Sequence, residues 1–599
     1  MDKYSFVLFH SDLAPFLAKV QELGMVDITR EHKAVDSISS GLFSLGKRYV
    51  KAIKDLEIHK ASLSSEEYDN IIVAQEIKEK EPENLLEYTE EAILRRDQLK
   101  LDFEQLKKDY NDSRQWGPLQ KEEIEKIEKL GYNLHLYSVS EKGYKSEWEN
   151  DYIIHILNRD NGKIFFALLN HKDNESKFEL TESKRPQKSC DFLEQQIEIN
   201  KAATEENNNI LNQLTKEISR LQEAMNSNKE QLDLYLAGVS SIKEAEGTLA
   251  LLTGFVPADN RESIVSFLNK QGVYYITEKA AAEDNPPVKL KNGFFAQLYE
   301  PIGELYMLPK YGELDLTPFF APFYMFFFGF CLGDMGYGLV ILIAATIAKF
   351  KLPKFKSYLT LAQFLGVGAI VMAALSGVFF GTRIQEIIPM PESVQALFFS
   401  DLKMFWFAII FGLIQIVFAR MVNAIDSMIR KGWQYGMHNI GWSVGIIWAA
   451  WYYATTMSPE ITMPAFMNYA ALAGVALILF FTSNSGNIFV RVAKGTIAFY
   501  DITSIFGDML SYIRLFGLGT SGAILGMVVN SVAMSLTGIP YIGWVFAALM
   551  LVFGHLMVLM LASLGAFVHP MRLTFVEFYK NASFSGGGRA FRPLGKEAK

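Results

Sequence analysis

An arginine stands inside one of the most apolar stretches of the chain. In SYIRLFGLG, residues 511–519, Arg514 is flanked by apolar or small residues that run on to Val532 and beyond. A guanidinium stays protonated at any biological pH. Holding one at the middle of a membrane costs about 2.5–3.5 kcal/mol on insertion scales. The neighbours of Arg514 at helical spacing are Gly507, Ser511, Gly517 and Ser521, and small residues let another helix approach closely. The pattern predicts a fixed positive charge presented to a partner helix. Two plainer readings compete: a static ion pair with an acid such as Asp508 or Asp334, and snorkelling to an interface, against which the central position argues.

A second group of polar residues follows. GAFVHPMRLTFVEFY, residues 565–579, holds His569, Arg572 and Glu577 within three helical turns. Pro570 removes a backbone hydrogen bond and is expected to loosen the helix there. His555 lies further back on roughly the same face as His569. A lone histidine in a bundle is usually a satisfied core residue; two in one span beside an arginine read as a polar path. One motif misleads. GLFSLGKR, Gly41 to Arg48, nearly matches a phosphate-binding loop. Arg48 stands where the magnesium-binding hydroxyl belongs, and no strand precedes the segment, so nucleotide binding is not expected.

The elements that must position these residues fall into two halves. Half of the 599 residues are hydrophobic, yet the charged residues concentrate before about residue 315 and long apolar stretches follow it. A soluble half joined to a polytopic membrane half is predicted. The net charge of -8 gives no reason to expect nucleic acid, and two cysteines, Cys190 and Cys331, imply neither a disulfide framework nor a zinc site. The opening MDKYSFVLFHSDL lacks the pattern of a signal peptide. The soluble half is therefore expected in the cytoplasm.

Two βαβ-like units bracket the soluble half: YSFVLFH, LAPFLAKVQELG and MVDITRE first, then TLALLTGFVP, NRESIVSFLNKQG and VYYITEK. They suggest one ferredoxin-like lobe, residues 1–80 with 240–300. Between them, Leu99, Phe103, Leu106 and Tyr110 on one polar helix, and Leu211, Leu214, Ile218, Leu221, Met225 and Leu232 on another, mark an antiparallel coiled coil, 83–112 with 190–237. A distal lobe, 113–190, carries the strands YNLHLYSVS, DYIIHILN and KIFFALLN, with a hairpin turn at Asn161-Gly162. Residues 1–315 thus read as a cytoplasmic arm of two α/β lobes joined by a coiled coil.

Residues 316–580 read as an α-helical polytopic membrane domain of eight spans, near 317–331, 334–348, 358–380, 402–422, 436–457, 465–482, 502–534 and 541–578. The last two exceed the ~20 residues a span needs, so they should tilt or protrude. Lys349, Lys351, Lys354, Lys356, Arg420, Arg430, Lys431, Arg491 and Lys494, with Lys580, Arg589, Arg592, Lys596 and Lys599 of the tail 581–599, all fall on one side. The opposite loops hold Arg383, Glu386, Glu392, Asp401 and Glu460. The positive-inside rule then places both termini in the cytoplasm.

YDITSIFGDMLSYIRLFGLG and LGAFVHPMRLTFVEFYKNASFSGGGRAFRPL resemble the signature segments of the membrane stator subunit of V-type and A-type rotary ATPases, subunit a or subunit I. FFFGFCLGDMGYGL, residues 326–339, resembles that family's segment at the first span junction. The resemblance covers essentially the whole chain. It implies a non-catalytic subunit that holds two ion half-channels against a rotor ring of c or K type. Peripheral stalks of E and G type would bind the arm; the central-stalk base and ATPase head would be indirect partners. It implies H⁺ or Na⁺ as the transported ion, no cofactor, and a prokaryotic plasma membrane. By the resemblance Arg514 is the arginine that meets the ring carboxylate and Arg572 a second translocation residue. His569, Glu577, His555, Asp508, Ser511 and Asp334 are half-channel candidates. Gly522 and Ala562 depart from the eukaryotic members, which carry a histidine and an acid there, so the channel residues do not transfer wholesale. The rival classes are a secondary transporter with a cytoplasmic regulatory domain, which predicts internal repeats, and a membrane tether for a coiled-coil scaffold, which needs neither arginine.

Overall fold

A computed structural model describes all residues except 32, 117–125, 128, 161, 172–177, 184–187, 245–247, 458–461, 484–486 and 596–599. Of the sequence expectations, Asn161, Glu460, Lys596 and Lys599 lie outside the described residues. The chain divides into two compact units.

One unit comprises Tyr4–Gly254, Glu262–Ile276 and Pro593–Lys599. Its first strand, β1 (Asp2–Phe9), alternates, with Tyr4, Phe6 and Leu8 buried. α1 (Leu13–Leu23) buries Leu13, Phe16, Leu17 and Val20, a three-to-four spacing that lays one stripe on the core. The sheet order is β2 (Asp27–Ile28), β7 (Leu249–Val256), β1, β8 (Tyr274–Lys279), with β6 (Ile242–Glu244) also on β7. That order interleaves strands from the two βαβ units, which lie more than 200 residues apart in sequence. MVDITRE yields only a two-residue strand.

Four long helices follow from the intervening sequence: α2 (Ser37–Ala61), α3 (Pro82–Arg114), α4 (Cys190–Lys216) and α5 (Ile218–Val239). Asp36 and Ser39 form a capping box on α2, and Pro82 opens α3, where its missing N–H costs nothing. α3 and α4 run antiparallel. Asn207 Nδ2 donates to the Ala92 carbonyl at 3.0 Å, and Asn200 Nδ2 to the Leu99 carbonyl at 3.2 Å. Tyr110 closes the far end on Glu194 at 2.9 Å. Leu211, Leu214, Leu221 and Leu232 are buried, and Leu99, Phe103, Leu106 and Tyr110 are half-buried. The α4–α5 line repeats every seven residues as Asn200, Asn207, Leu214, Leu221 and Asn228. Asn228 Nδ2 donates to the Leu42 carbonyl of α2 at 3.1 Å. Gly41 to Arg48 lies inside α2, and Arg48 grips Glu90 at 2.6 Å. The decoy is thus helix surface.

The remaining sheet orders β3 (Tyr132–Ser140), β5 (Lys163–His171) and β4 (Ile153–Asp160), all antiparallel. Alternation along β5 sends Ile164, Phe166 and Leu168 to a core with Tyr137 and Trp148, and Phe165 and Ala167 to another with Trp116 and Leu136.

The other unit comprises Met1–Lys3, Phe255–Arg261 and Thr277–Arg592. It is helical: α6 (Thr317–Leu332), α7 (Met335–Lys351), α8 (Lys356–Ser376), α9 (Asp401–Lys431), α10 (Met437–Met457), α11 (Ala465–Phe481), α12 (Ile488–Ala498), α13 (Asp501–Ser511), α14 (Ile513–Leu536) and α15 (Gly543–Arg572). Among the described residues four helical segments are long and apolar enough to cross a membrane: Pro353–Ser376, Asp401–Lys431, Ile488–Leu536 and Gly543–Asn581. α6 is apolar all round and central, with Phe320, Ala321, Tyr324 and Phe327 fully buried. It packs against α8, α14 and α15.

Two departures from the expected spans affect the site. The stretch 502–534 is interrupted for one residue at Tyr512, between α13 and α14, where the backbone stays right-handed helical at φ -76, ψ -17. The last helix widens after Arg572 into a π-helical turn, Leu573–Phe578. Pro570, inside α15 just before that turn, has no N–H to donate to the carbonyl one turn earlier.

Candidate functional site

The α13–α14 break puts Arg514 in the first turn of α14. Its Nη1 is buried and has no hydrogen-bond partner in the chain. Among the described residues no carboxylate lies within 4.0 Å of its guanidinium nitrogens, the salt-bridge distance. Both acids that could have neutralised it are committed elsewhere. Asp508 takes Lys580 Nζ at 2.9 Å and Asn581 Nδ2 at 3.0 Å.

Asp334 is fully buried and accepts four backbone N–H groups: Gly336 at 2.8 Å, Tyr337 at 3.1 Å, Phe380 at 2.9 Å and Gly381 at 2.6 Å. It caps α7 and ties the 378–383 hairpin to it. The GDMG turn that carries it needs Gly333, which ends α6 at φ +64, where a Cβ would stand 2.7 Å from the Gly519 carbonyl oxygen.

Six of the eight sequence-predicted residues gather around one end of α14 and α15. His569 lies within electrostatic reach of both Arg514 and Arg572. Glu577 lies beside Ser511 and within reach of Arg572 and Asp508. The π-turn carries Glu577 into the bundle, where it is 1% exposed and its Oε2 has no partner in the chain. Arg572, one residue before the turn, is exposed.

The other two stand apart. His555 receives or donates at both ring nitrogens: Nδ1 with Tyr337 OH at 2.9 Å and Nε2 with Asn530 Oδ1 at 2.9 Å. Asn530 in turn donates to the Phe380 carbonyl at 2.7 Å and to Thr382 Oγ1 at 3.1 Å. Asn530 is sixteen residues along α14 from Arg514, roughly 24 Å at the helical rise. Asp334 borders this second group through the backbone of Tyr337, Phe380 and Gly381.

Outward, the small-residue stripe is open. Gly507, Gly517 and Ser521 are exposed, and a methyl added at Gly507, Gly517 or Gly565 would meet nothing within 4 Å. Inward, Gly519 and Gly526 pack against backbone.

Sequence reasoning missed Asn530, Tyr337, Lys580, Asn581, Tyr512 and Gln415. Asn530 carried a signal, a lone amide in an apolar run. The others gain meaning only from partners far away in sequence.

Residues 163–382 match the V-type ATPase 116kDa subunit family. The V-type ATP synthase subunit I of Borreliella burgdorferi is 24% identical over 506 residues, covering 81% of this chain and 82% of that protein. The A-type ATP synthase subunit I of Pyrococcus horikoshii is 30% identical over 375 residues, covering 59% of this chain and 55% of the relative. That of Archaeoglobus fulgidus is 25% identical over 404 residues, covering 58% of each. The chain thus aligns with little more than half the length of these two archaeal relatives. Together with four apolar helices long enough to cross a membrane, the matches agree with the resemblance carried by the motifs: the chain is similar to subunit I of the V-type and A-type ATP synthases.

Proposed function

We propose that the chain is the membrane stator subunit of a V/A-type rotary ATPase, non-catalytic itself, with eight spans and both termini in the cytoplasm. Its membrane half holds two ion half-channels against a ring of carboxylate-bearing subunits, and its arm anchors peripheral stalks. The observation that carries this reading is the placement of Arg514. An unneutralised guanidinium stands in the polar group built on Ser511, His569, Arg572 and Glu577, while a second polar group, built on Tyr337, Asn530 and His555, lies further along α14. The open face beside it carries glycines rather than bulky side chains.

Charge explains what such an arrangement does. A ring carboxylate arriving beside Arg514 meets a fixed cation. An opposite charge within ~4–6 Å favours its ionised form and lowers its pKa by ~1–3 units. It releases its ion towards one polar group, rotates on, and is recharged from the other. Arg514 cannot relay a proton, because it does not give one up. It therefore also blocks a direct leak between the two groups. A lysine there could lose its proton on burial.

Purification in mild detergent tests the reading. The stator assignment expects the chain to bring down ATPase-head and ring subunits in fixed ratio. A chain that purifies alone, yet transports solute in vesicles, would be a secondary transporter instead.

A further inference from the structure

The break between α13 and α14 has a built socket. Tyr512, the residue at the break, is 0% exposed. Its hydroxyl donates to Gln415 Oε1 of α9 at 2.7 Å, and Gln415 is itself 0% exposed. Its ring lies 5.7 Å from that of Phe327, centroid to centroid. The ring also occupies the space a side chain at Gly412 would need: a methyl there would stand 2.1 Å from Tyr512 Cγ and 2.4 Å from Cδ1. Only glycine at 412 leaves room for the ring, because neither a ring carbon nor a helix backbone can move aside as a flexible side-chain end does.

Arg514 is two residues further on, and Leu515, the next residue, is 1% exposed. Residues 512 and 515 are three apart and share a helix face; 514 lies about 200° round the axis from 512. Tyr512 and Leu515 thus hold one side of the first turn of α14 in the bundle, and Arg514 leaves that turn from the other side. We propose that Tyr512, Gln415 and Gly412 form a positioning device that sets the height and rotation of Arg514 against the ring. The proposal rests on the role given to Arg514 above. The chemistry involved is geometric: the Coulomb effect on a passing carboxylate falls off over a few ångströms, so a guanidinium free to slide or turn would ionise it poorly.

The test uses the whole complex reconstituted in vesicles, with ATP hydrolysis and ATP-driven ion uptake measured on the same preparation. The variants are Tyr512→Phe, Gln415→Leu, the two combined, and Arg514→Ala. Tyr512→Phe removes one oxygen and keeps the ring, so it retains the packing. The expected result is wild-type amounts of assembled complex and unchanged hydrolysis, with fewer ions moved per ATP in both single variants. The double variant should be no worse than the poorer single one, since both remove the same bond. A wild-type ratio in Tyr512→Phe while Arg514→Ala fails to pump would overturn the positioning role alone. Losses that compound in the double variant, or that track the amount of assembled complex, would also overturn it. Normal pumping by Arg514→Ala would remove the function the device is built to serve, and with it the reading of the whole site.

Discussion

Arg514 and Asp334 look alike in the sequence, each a charge in an apolar setting, but they are held in opposite ways. Asp334 is saturated by four backbone N–H groups, whereas Arg514 Nη1 has no partner. Four hydrogen bonds thus tie the carboxylate to the backbone around it, and Nη1 of the guanidinium is left without a partner in the chain. Removing the Asp334 acceptor would orphan buried donors, each at about 1–3 kcal/mol. Asp334→Ala is thus expected to cost several kcal/mol by this reckoning. It should lower the amount of folded protein in the membrane, read by immunoblot and by protease sensitivity of the 378–383 hairpin. A fully folded, normally abundant Asp334→Ala protein with impaired ion transport would instead restore Asp334 to the half-channel. The sequence made Arg514 legible, because a cation among leucines and glycines has few structural uses. It left the state of Asp334 open, since its four donors come from backbone.

At the scale of elements, the long helices followed from apolar periodicity, but their fine structure did not. Tyr512 reads as one more aromatic in an apolar run; its partners, the space left by Gly412 and the amide of Gln415, come from a helix nearly a hundred residues away. The helix pairs of the other unit show the same limit. Leucines at seam positions are legible, while Asn200, Asn207 and Asn228, each buried and donating to a facing backbone carbonyl, sit on the same seven-residue repeat and take their meaning from those carbonyls. A buried asparagine on such a seam fixes register at some cost in stability. Asn207→Leu is accordingly expected to slow hydrogen exchange in α3 and α4 of the intact chain. Faster exchange there would show that the amide stabilises the pair rather than only aligning it.

A second element-scale expectation concerns acid. Asp36 accepts from Tyr235 OH and from the Ser39 N–H, and these bonds hold its carboxyl below the ordinary aspartate value of 3.8. A depressed folded pKa adds stability that is present above 3.8 and lost as the pH falls through the folded value. The protection of the first turn of α2, exchange relative to the intrinsic rate at each pH, should therefore fall on acidification below that point in the native chain. It should be already low and nearly independent of pH in Asp36→Ala. A native profile no steeper than the variant's would contradict this.

At the scale of the whole molecule, the proposed stator would join an arm that bears force to a membrane half that conducts ions. If the arm anchors stalks, deleting residues 113–190 should weaken peripheral-stalk attachment in detergent-solubilised complexes while membrane insertion stays intact. Unchanged stalk binding would assign the anchor elsewhere. If Arg514 ionises the passing ring carboxylate, ATP-driven ion uptake by vesicles containing Arg514→Ala or Arg514→Lys complexes is where its loss shows. The outward face of Gly507, Gly517 and Ser521 survives both substitutions, so assembly should persist, and insertion should be eased by about 2.5–3.5 kcal/mol in the alanine variant. Assembled complexes that form no ion gradient are expected. Robust, gradient-forming uptake by Arg514→Ala would contradict it and leave Arg514 a structural residue.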